Sequence, residues 1–392
     1  MAFNEVVSLA KEFMRDARMS GWLIYDYKGM NPIFKEVIGP VDNLTRPSWL
    51  WIPADGDPSL LTSFVDSGRF PDLMVTHHNF VSRQDMIEQL SGLISDASEI
   101  AMEYSPQGEL PKVSTVDGGT IEFVRSPRVD IVSSADLIQY ATHRWDKAEL
   151  QTHQHAANVL TTVVKQAFSR IQAKLHIGIT EYEVADFIRE RLKNENMYVA
   201  DGPVVAVNAH SADPHFEPTR KHTDLFKEGD WVLIDLWARE SSDRGMFADI
   251  TWTAYVGSKV PLEHLEVFNV VIDARDRALD FINESCSSQR DVAGWEVDSI
   301  ARKYIDERGY GAYFGHRLGH SLGREVHSNA VNLDSWETND TRRLLSGIAV
   351  TIEPGIYLPG KFGVRSEINV FMTENGPLLT TEKQTEPFII PI

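Results

Sequence analysis

The stretch HRLGHSLGREVH (residues 316–327), followed by AVTIEPGIY (349–357) and GVRSEINV (363–370), decides how this chain is read. It carries His320, Glu353 and Glu367, an imidazole and two carboxylates set among apolar residues. Upstream, WVLIDLW (231–237) supplies Asp235 and FADITWTAYV (247–256) supplies Asp249. An aspartate inside such an apolar strand is costly to bury unless it is paired or binds a metal. Taken singly, either aspartate can stand exposed. Two of them on strands joined by the polar connection RESSDRG, which reads as an antiparallel pair, argue for a shared site. Four carboxylates and one imidazole exceed what one divalent ion takes and suit two ions sharing bridging carboxylates. The expectation is a two-metal hydrolase.

The local pattern shapes this site further. Gly315, Gly319 and Gly323 recur every fourth residue, so His316 and His320 are expected on a tight, irregular loop rather than a helix. Glu353 is expected in a strand that Pro-Gly ends. Arg365 and Glu367 are two apart, hence on one face of a strand, where a structural ion pair is the alternative use for them. Upstream of Asp235, the loop AHSADPHFEPT (209–219) follows the strand GPVVAVN and presents His210 and His215. Loops at strand ends are where site residues are commonly mounted.

Between these words the periodicity predicts helices over 263–285 and 294–307. A long helix starts at Asp146, with Ala157, Leu160, Val164 and Phe168 on one face. Thr180 and Glu183 form a capping-box pattern at the start of the next helix. On the long helix His153 and His155 face different sides and are expected to be solvated. The domain boundary is placed near residue 145. The first part reads as an α/β layer domain: an amphipathic N-terminal helix, the strand GWLIYDY, two strands around the turn Asp55-Gly56-Asp57-Pro58, a helix near 84–94, and strands in EIAMEYS and VDIVSS. His77 and His78 are adjacent, point to opposite faces, and are expected at the surface.

The chain has 392 residues and a formal net charge of -19, which disfavours nucleic acid and anionic membrane surfaces. The single cysteine, Cys286, permits no intrachain disulfide and fits a cytoplasmic location; it reads as helical filler. No run of about 18 apolar residues and no signal-peptide pattern is present.

With these residues in place, the chain resembles the creatinase/aminopeptidase P/prolidase family, metallopeptidase family M24. The order Asp, Asp, His, Glu, Glu and the words GH-x-LG-x-x-VH, TIEPGIY and GVRSE carry the resemblance. It implies an α+β architecture: a creatinase/prolidase-like N-terminal domain over 1–144 and a pita-bread catalytic domain over 145–392. It implies that Asp235 chelates one metal, that His320 and Glu353 bind the other, and that Asp249 and Glu367 bridge the two. It places His215 and His327 beside the substrate, His327 on the tetrahedral intermediate, His316 at the rim and Arg365 next to the last ligand. The implied cofactors are two divalent ions, Mn²⁺ first and Co²⁺, Fe²⁺ or Zn²⁺ next. The implied partners are a small peptide or dipeptide and a second copy of the chain in a homodimer, with neither nucleic acid nor membrane.

The implied reaction is cleavage of the bond before proline by a metal-bridging hydroxide, as in Xaa-Pro dipeptidases and aminopeptidases. Glu353 shuttles the proton to the leaving nitrogen, with His215 and His327 as the other catalytic groups. The alternative is a non-peptidase of the same fold, such as a metal-dependent dimethylsulfoniopropionate lyase. Three departures stand near the motifs: the aspartates are three residues further apart than the family's usual spacing, Trp252 replaces an arginine, and Ser328 replaces an acid. The longer hairpin and Trp252 are expected beside the site, where they would reshape the substrate pocket.

Overall fold

The computed structural model describes residues 2–392. The chain divides into two compact units, Met1–Arg144 and Trp145–Ile392. Among the described residues no helix is long and apolar enough to cross a membrane.

The first unit is built on a six-stranded mixed sheet. Its order is Thr76–Phe80, Ser59–Ser63, Pro47–Pro53, Gly21–Tyr27, Glu99–Met102, Asp130–Ser133. Strand alternation sends Trp22, Ile24, Leu50 and Ile52 to one face and Leu23, Trp49, Trp51 and Leu61 to the other. Helices Phe3–Ala17 and Ala135–Thr142 add to the first core, and Arg83–Leu93 adds to the second. Burial on both faces explains why these strands read as continuous apolar runs. His77 is exposed on the strand Thr76–Phe80 at the sheet's end, and His78 is half-buried.

In the second unit, helix Lys147–Lys174 opens on a capping box in which Asp146 and Glu149 exchange bonds. With helix Glu181–Asn194, itself capped by Thr180 and Glu183, it covers one face of a sheet. That sheet runs Phe388–Ile390, Ala248–Val256, Trp231–Glu240, Met197–Tyr198, with Val204–Val207 also on Trp231–Glu240. Helices Leu262–Ser287 and Gly294–Glu307 share a second core with another sheet, ordered Ser321–Leu322, Ala349–Ile352, Ile368–Thr373, Gly376–Leu379. A two-stranded ribbon, Gly355–Leu358 with Phe362–Arg365, completes this half.

Several expectations are corrected here. Asp249, Thr251 and Thr253 alternate with Ile250, Trp252 and Ala254, and the latter three enter the core beneath helix Lys147–Lys174. Trp252 is therefore not beside the carboxylates: it is 4% exposed, and Lys165 lies over its ring at 5.3 Å. The longer hairpin is fastened to the start of that helix. Arg244 pairs with Asp146, and the Thr152 hydroxyl lies 3.1 Å from both Arg244 O and Met246 N. His153 is fully buried rather than solvated, because both ring nitrogens find partners inside the protein. Arg365 and Glu367 do not share a strand: one strand ends at Arg365 and the next begins at Ile368. Likewise Glu353 lies just past the strand Ala349–Ile352. Cys286 is half-buried near the end of its helix.

Candidate metal centre

Antiparallel pairing sets Asp235 opposite Thr251 and Trp237 opposite Asp249, so the two aspartates stand one step apart on neighbouring strands. Facing them, His320 and Glu353 are held side by side by backbone bonds. Thr351 N donates to His320 O and Glu353 N to Leu318 O, each at 2.8 Å. Gly319 permits this approach: a Cβ there would come 2.0 Å from Thr351 O. The Thr351 hydroxyl accepts from His320 N at 2.9 Å and donates to Glu353 Oε1 at 3.1 Å.

The side chains converge. His320 Nε2 is 3.4 Å from Glu353 Oε1 and 3.7 Å from Asp249 Oδ2. Asp249, His320 and Glu367 each offer a ligand atom within 4.8 Å of the others. Arg365 organises the remaining carboxylates. Its guanidinium bonds to Asp235 Oδ2, to Thr251 Oγ1 at 3.0 Å and to the Tyr357 hydroxyl at 2.9 Å. The Thr251 hydroxyl donates to Glu367 Oε2 at 2.8 Å.

Tyr357 lies 2.8 Å from His316 Nε2, while His316 Nδ1 lies 2.7 Å from Arg317 O. A carbonyl only accepts, so Nδ1 donates and Nε2 receives the phenol proton. Burial, reinforced by the Arg365 charge, pushes the His316 pKa down to about 3 and keeps the ring neutral. Burial likewise raises Tyr357 to about 12. Burial and mutual repulsion hold Asp249 and Glu367 well above the usual carboxylate range, and burial lifts Glu353 to about 7.

The structure thus brings together Asp235, Asp249, His320, Glu353, Glu367 and Arg365, and joins His316 through Tyr357. The exposed His327 ring stands edge-on to His320, with centroids 4.3 Å apart. His215 is exposed on the loop after Val204–Val207; its backbone N–H donates to Asp213 at 3.1 Å. The root of that loop is set by the buried Glu181, which accepts from Val207 N, Asp224 N and His210 Nδ1 at 2.7–2.9 Å. Thr251, Thr351, Tyr357 and Glu181 escaped the sequence reading. Thr251 was legible by strand alternation with Asp249, and Tyr357 stands inside the EPGIY word; Glu181 carried no local signal.

Over residues 153–374 the chain matches the sequence model of metallopeptidase family M24. The chain belongs to metallopeptidase family M24. It is 30% identical over 311 residues to an Xaa-Pro dipeptidase of Pyrococcus horikoshii, covering 78% of each chain. It is 32% identical over 268 residues to the uncharacterized peptidase YqhT of Bacillus subtilis, covering 66% of this chain and 70% of that one. The fold is similar to that of dipeptidase PepE from Mycobacterium ulcerans, with a TM-score of 0.70 at 24% identity, covering 100% of this chain and 98% of that one. This M24 peptidase has the α+β pita-bread catalytic fold preceded by an N-terminal domain.

The M24 side chains fit divalent cations. Asp235 Oδ1, Asp249 Oδ1 and Glu367 Oε1 are buried and have no hydrogen-bond partner among the described residues. Arg365 pairs with two of the four carboxylates, Asp235 and Glu353, and buried anions left without donors are costly unless cations meet them.

Proposed function

We propose that this M24 peptidase is a dinuclear-metal Xaa-Pro peptidase, acting on a dipeptide or at a peptide N-terminus. The observation that carries the proposal is the buried meeting of four carboxylates and His320, three of whose carboxylate oxygens lack a donor. The named Xaa-Pro dipeptidase relative supports the substrate class. We assign 1–144 as the creatinase/prolidase-like domain and 145–392 as the catalytic domain.

In this reading Asp235 holds one ion, His320 and Glu353 hold the other, and Asp249 and Glu367 hold both. Oxygen-rich ligation favours Mn²⁺. Divalent ions in this place supply Lewis acidity, polarising a carbonyl and acidifying water near neutral pH. Arg365 keeps Asp235 and, through Thr251, Glu367 aimed inward. Glu353 carries the proton to the departing proline nitrogen, which has no hydrogen of its own in the peptide bond. His327 donates to the oxyanion that forms at the scissile carbonyl. His215 meets the substrate from its exposed loop, and His316 supports the rim through Tyr357. The chain works as a homodimer, which light scattering would show as twice the 44.2 kDa chain mass.

The test is matched kinetics on Gly-Pro, Ala-Pro and Ala-Ala, each also extended by one residue, with Mn²⁺ added. A site built for a tertiary amide leaves the N–H of a secondary amide unpaired, at about 1–3 kcal/mol, or roughly 5- to 150-fold in rate. No turnover of any Xaa-Pro substrate by metal-loaded protein, together with turnover of a sulfonium propionate, would overturn the peptidase reading in favour of the lyase.

A further inference from the structure

The strand Ala248–Val256 has Trp231–Glu240 along one edge, but on its other edge a strand pairs only at Ala254–Val256. Over Asp249–Thr253 two side-chain carboxamides stand in for the missing neighbour. Asn369 Oδ1 accepts from Asp249 N at 2.9 Å, and its Nδ2 donates to Asp249 O at 2.7 Å. Gln384 Oε1 accepts from Thr253 N at 2.9 Å, and its Nε2 donates to Thr253 O at 2.7 Å. Each amide copies the bond pair that directly opposed residues exchange in an antiparallel ladder. Between them Thr251 O accepts from Glu367 N at 3.3 Å. The orientation of both amides is settled by their partners, since a backbone N–H only donates and a C=O only accepts.

Both amides are buried and anchored in turn. Asn369 N donates to Thr381 Oγ1 at 2.8 Å, and Asn369 O accepts from Thr380 N at 2.9 Å. Gln384 O accepts from Arg275 Nη1 at 2.8 Å, and the same nitrogen donates to Ser366 Oγ, one residue before Glu367, at 2.7 Å. The edge that carries Asp249 is thus tied by side chains to the segment that carries Glu367 and to the C-terminal stretch.

We infer that Asn369 and Gln384 are positioning residues of the metal centre: their carboxamides replace a strand along the Asp249 edge and fix where Asp249 and Thr251 stand relative to Glu367. The inference rests on the metal reading above. Neither amide offers an atom to an ion; each acts through the backbone of the residue it grips. A ligand pair closed by side chains instead of a continuous ladder keeps its spacing only while both amides are present, so their loss falls on ion affinity.

The experiment is calorimetric Mn²⁺ titration of the folded, metal-free full chain, with urea midpoints measured in parallel. Asn369→Ala is expected to weaken Mn²⁺ binding on the order of 10- to 100-fold, the usual effect of removing an outer partner of a metal ligand. Gln384→Ala is expected to weaken it less, because it grips Thr253 and not a ligand. Thr373→Ala, on the same strand as Asn369 but bonded to Gly376 O at 2.7 Å, is expected to shift only the midpoint. Wild-type affinity in Asn369→Ala and Gln384→Ala, with an ion lost in Asp249→Asn, would overturn the inference and leave the metal reading standing. Undiminished binding in Asp249→Asn would overturn the metal reading itself. Should Asn369→Ala not fold, Gln384→Ala set against Thr373→Ala decides the matter.

Discussion

Replacing His153 with glutamine should remove a specific pH dependence from stability. His153 sits near the start of helix Lys147–Lys174, 2.7 Å from Phe247 O and 2.6 Å from Thr380 Oγ1, with Trp145 against its ring at 5.1 Å. The carbonyl makes Nδ1 a donor, and full burial keeps the ring neutral. Burial pushes its pKa from 6.5 down to about 4. An unfolded chain takes up this proton near 6.5, and the folded chain refuses it until about 4. The contribution is therefore whole above 6.5 and is lost as pH falls through that interval. At roughly 1.4 kcal/mol per pH unit, the interval is worth about 3 kcal/mol. Glu103 works in the opposite direction: burial lifts it to about 7, so its contribution falls as pH rises from 4.5. The informative quantity is thus the difference between wild type and His153→Gln, whose amide stays neutral and can still donate to Phe247 O. Urea midpoints taken from about pH 7.5 to about pH 4.5 should show wild type losing its advantage on acidification. A difference that stays constant across this range would refute the reasoning.

Three further outcomes are expected. Glu353→Gln should abolish turnover, while His327→Ala should lower the rate at near wild-type metal content; equal metal loss in both would show that ligand and oxyanion roles are not divided this way. Metal analysis of purified protein should approach two divalent ions per chain and fall in Asp249→Asn, and saturation at one ion with Asp249 dispensable would refute the dinuclear assignment. Trp252→Ala should cost about 3–5 kcal/mol of stability as a core truncation, with the Xaa-Pro over Xaa-Ala preference kept, as kinetics on matched dipeptides will show.

The sequence made legible whatever is encoded within a few residues. Helix Gly294–Glu307, the Thr180–Glu183 capping box, the Asp55–Pro58 turn and the α/β layering of the N-terminal unit all stand where periodicity and turn chemistry put them. The five candidate ligands stand close together, Asp249, His320 and Glu367 as one group and Asp235 and Glu353 through Arg365 and His320. Trp252 lies three residues from Asp249 on a strand, an odd step that reverses the face, so strand alternation alone turns it away from the carboxylates. His153 was a different matter. Its burial depends on Phe247 and Thr380, 94 and 227 residues away, and no local pattern announces partners at that range. Asn369 and Gln384 were silent for the same reason: the residue type alone does not show whether an amide meets water or a backbone 120 or 131 residues distant.

The placing of Glu353 and Glu367 follows from how the chain changes sheets. It leaves the four-stranded sheet after Ile352, runs through the ribbon Gly355–Leu358 and Phe362–Arg365, and re-enters that sheet at Ile368. Glu353 stands at the exit and Glu367 at the re-entry. Pro354 has no N–H and cannot continue a ladder, so the strand must end beside Glu353. Ile352 and Ile368 face each other in the register, which brings the two crossings together however long the excursion between them. The EPG word is thus a candidate ligand followed by a strand terminator, and the ribbon it starts returns Arg365 to Asp235 and Thr251. A change in ribbon length should leave the two glutamates adjacent, whereas a slip of the Ile352–Ile368 register by one residue should separate them and turn one away from Asp249.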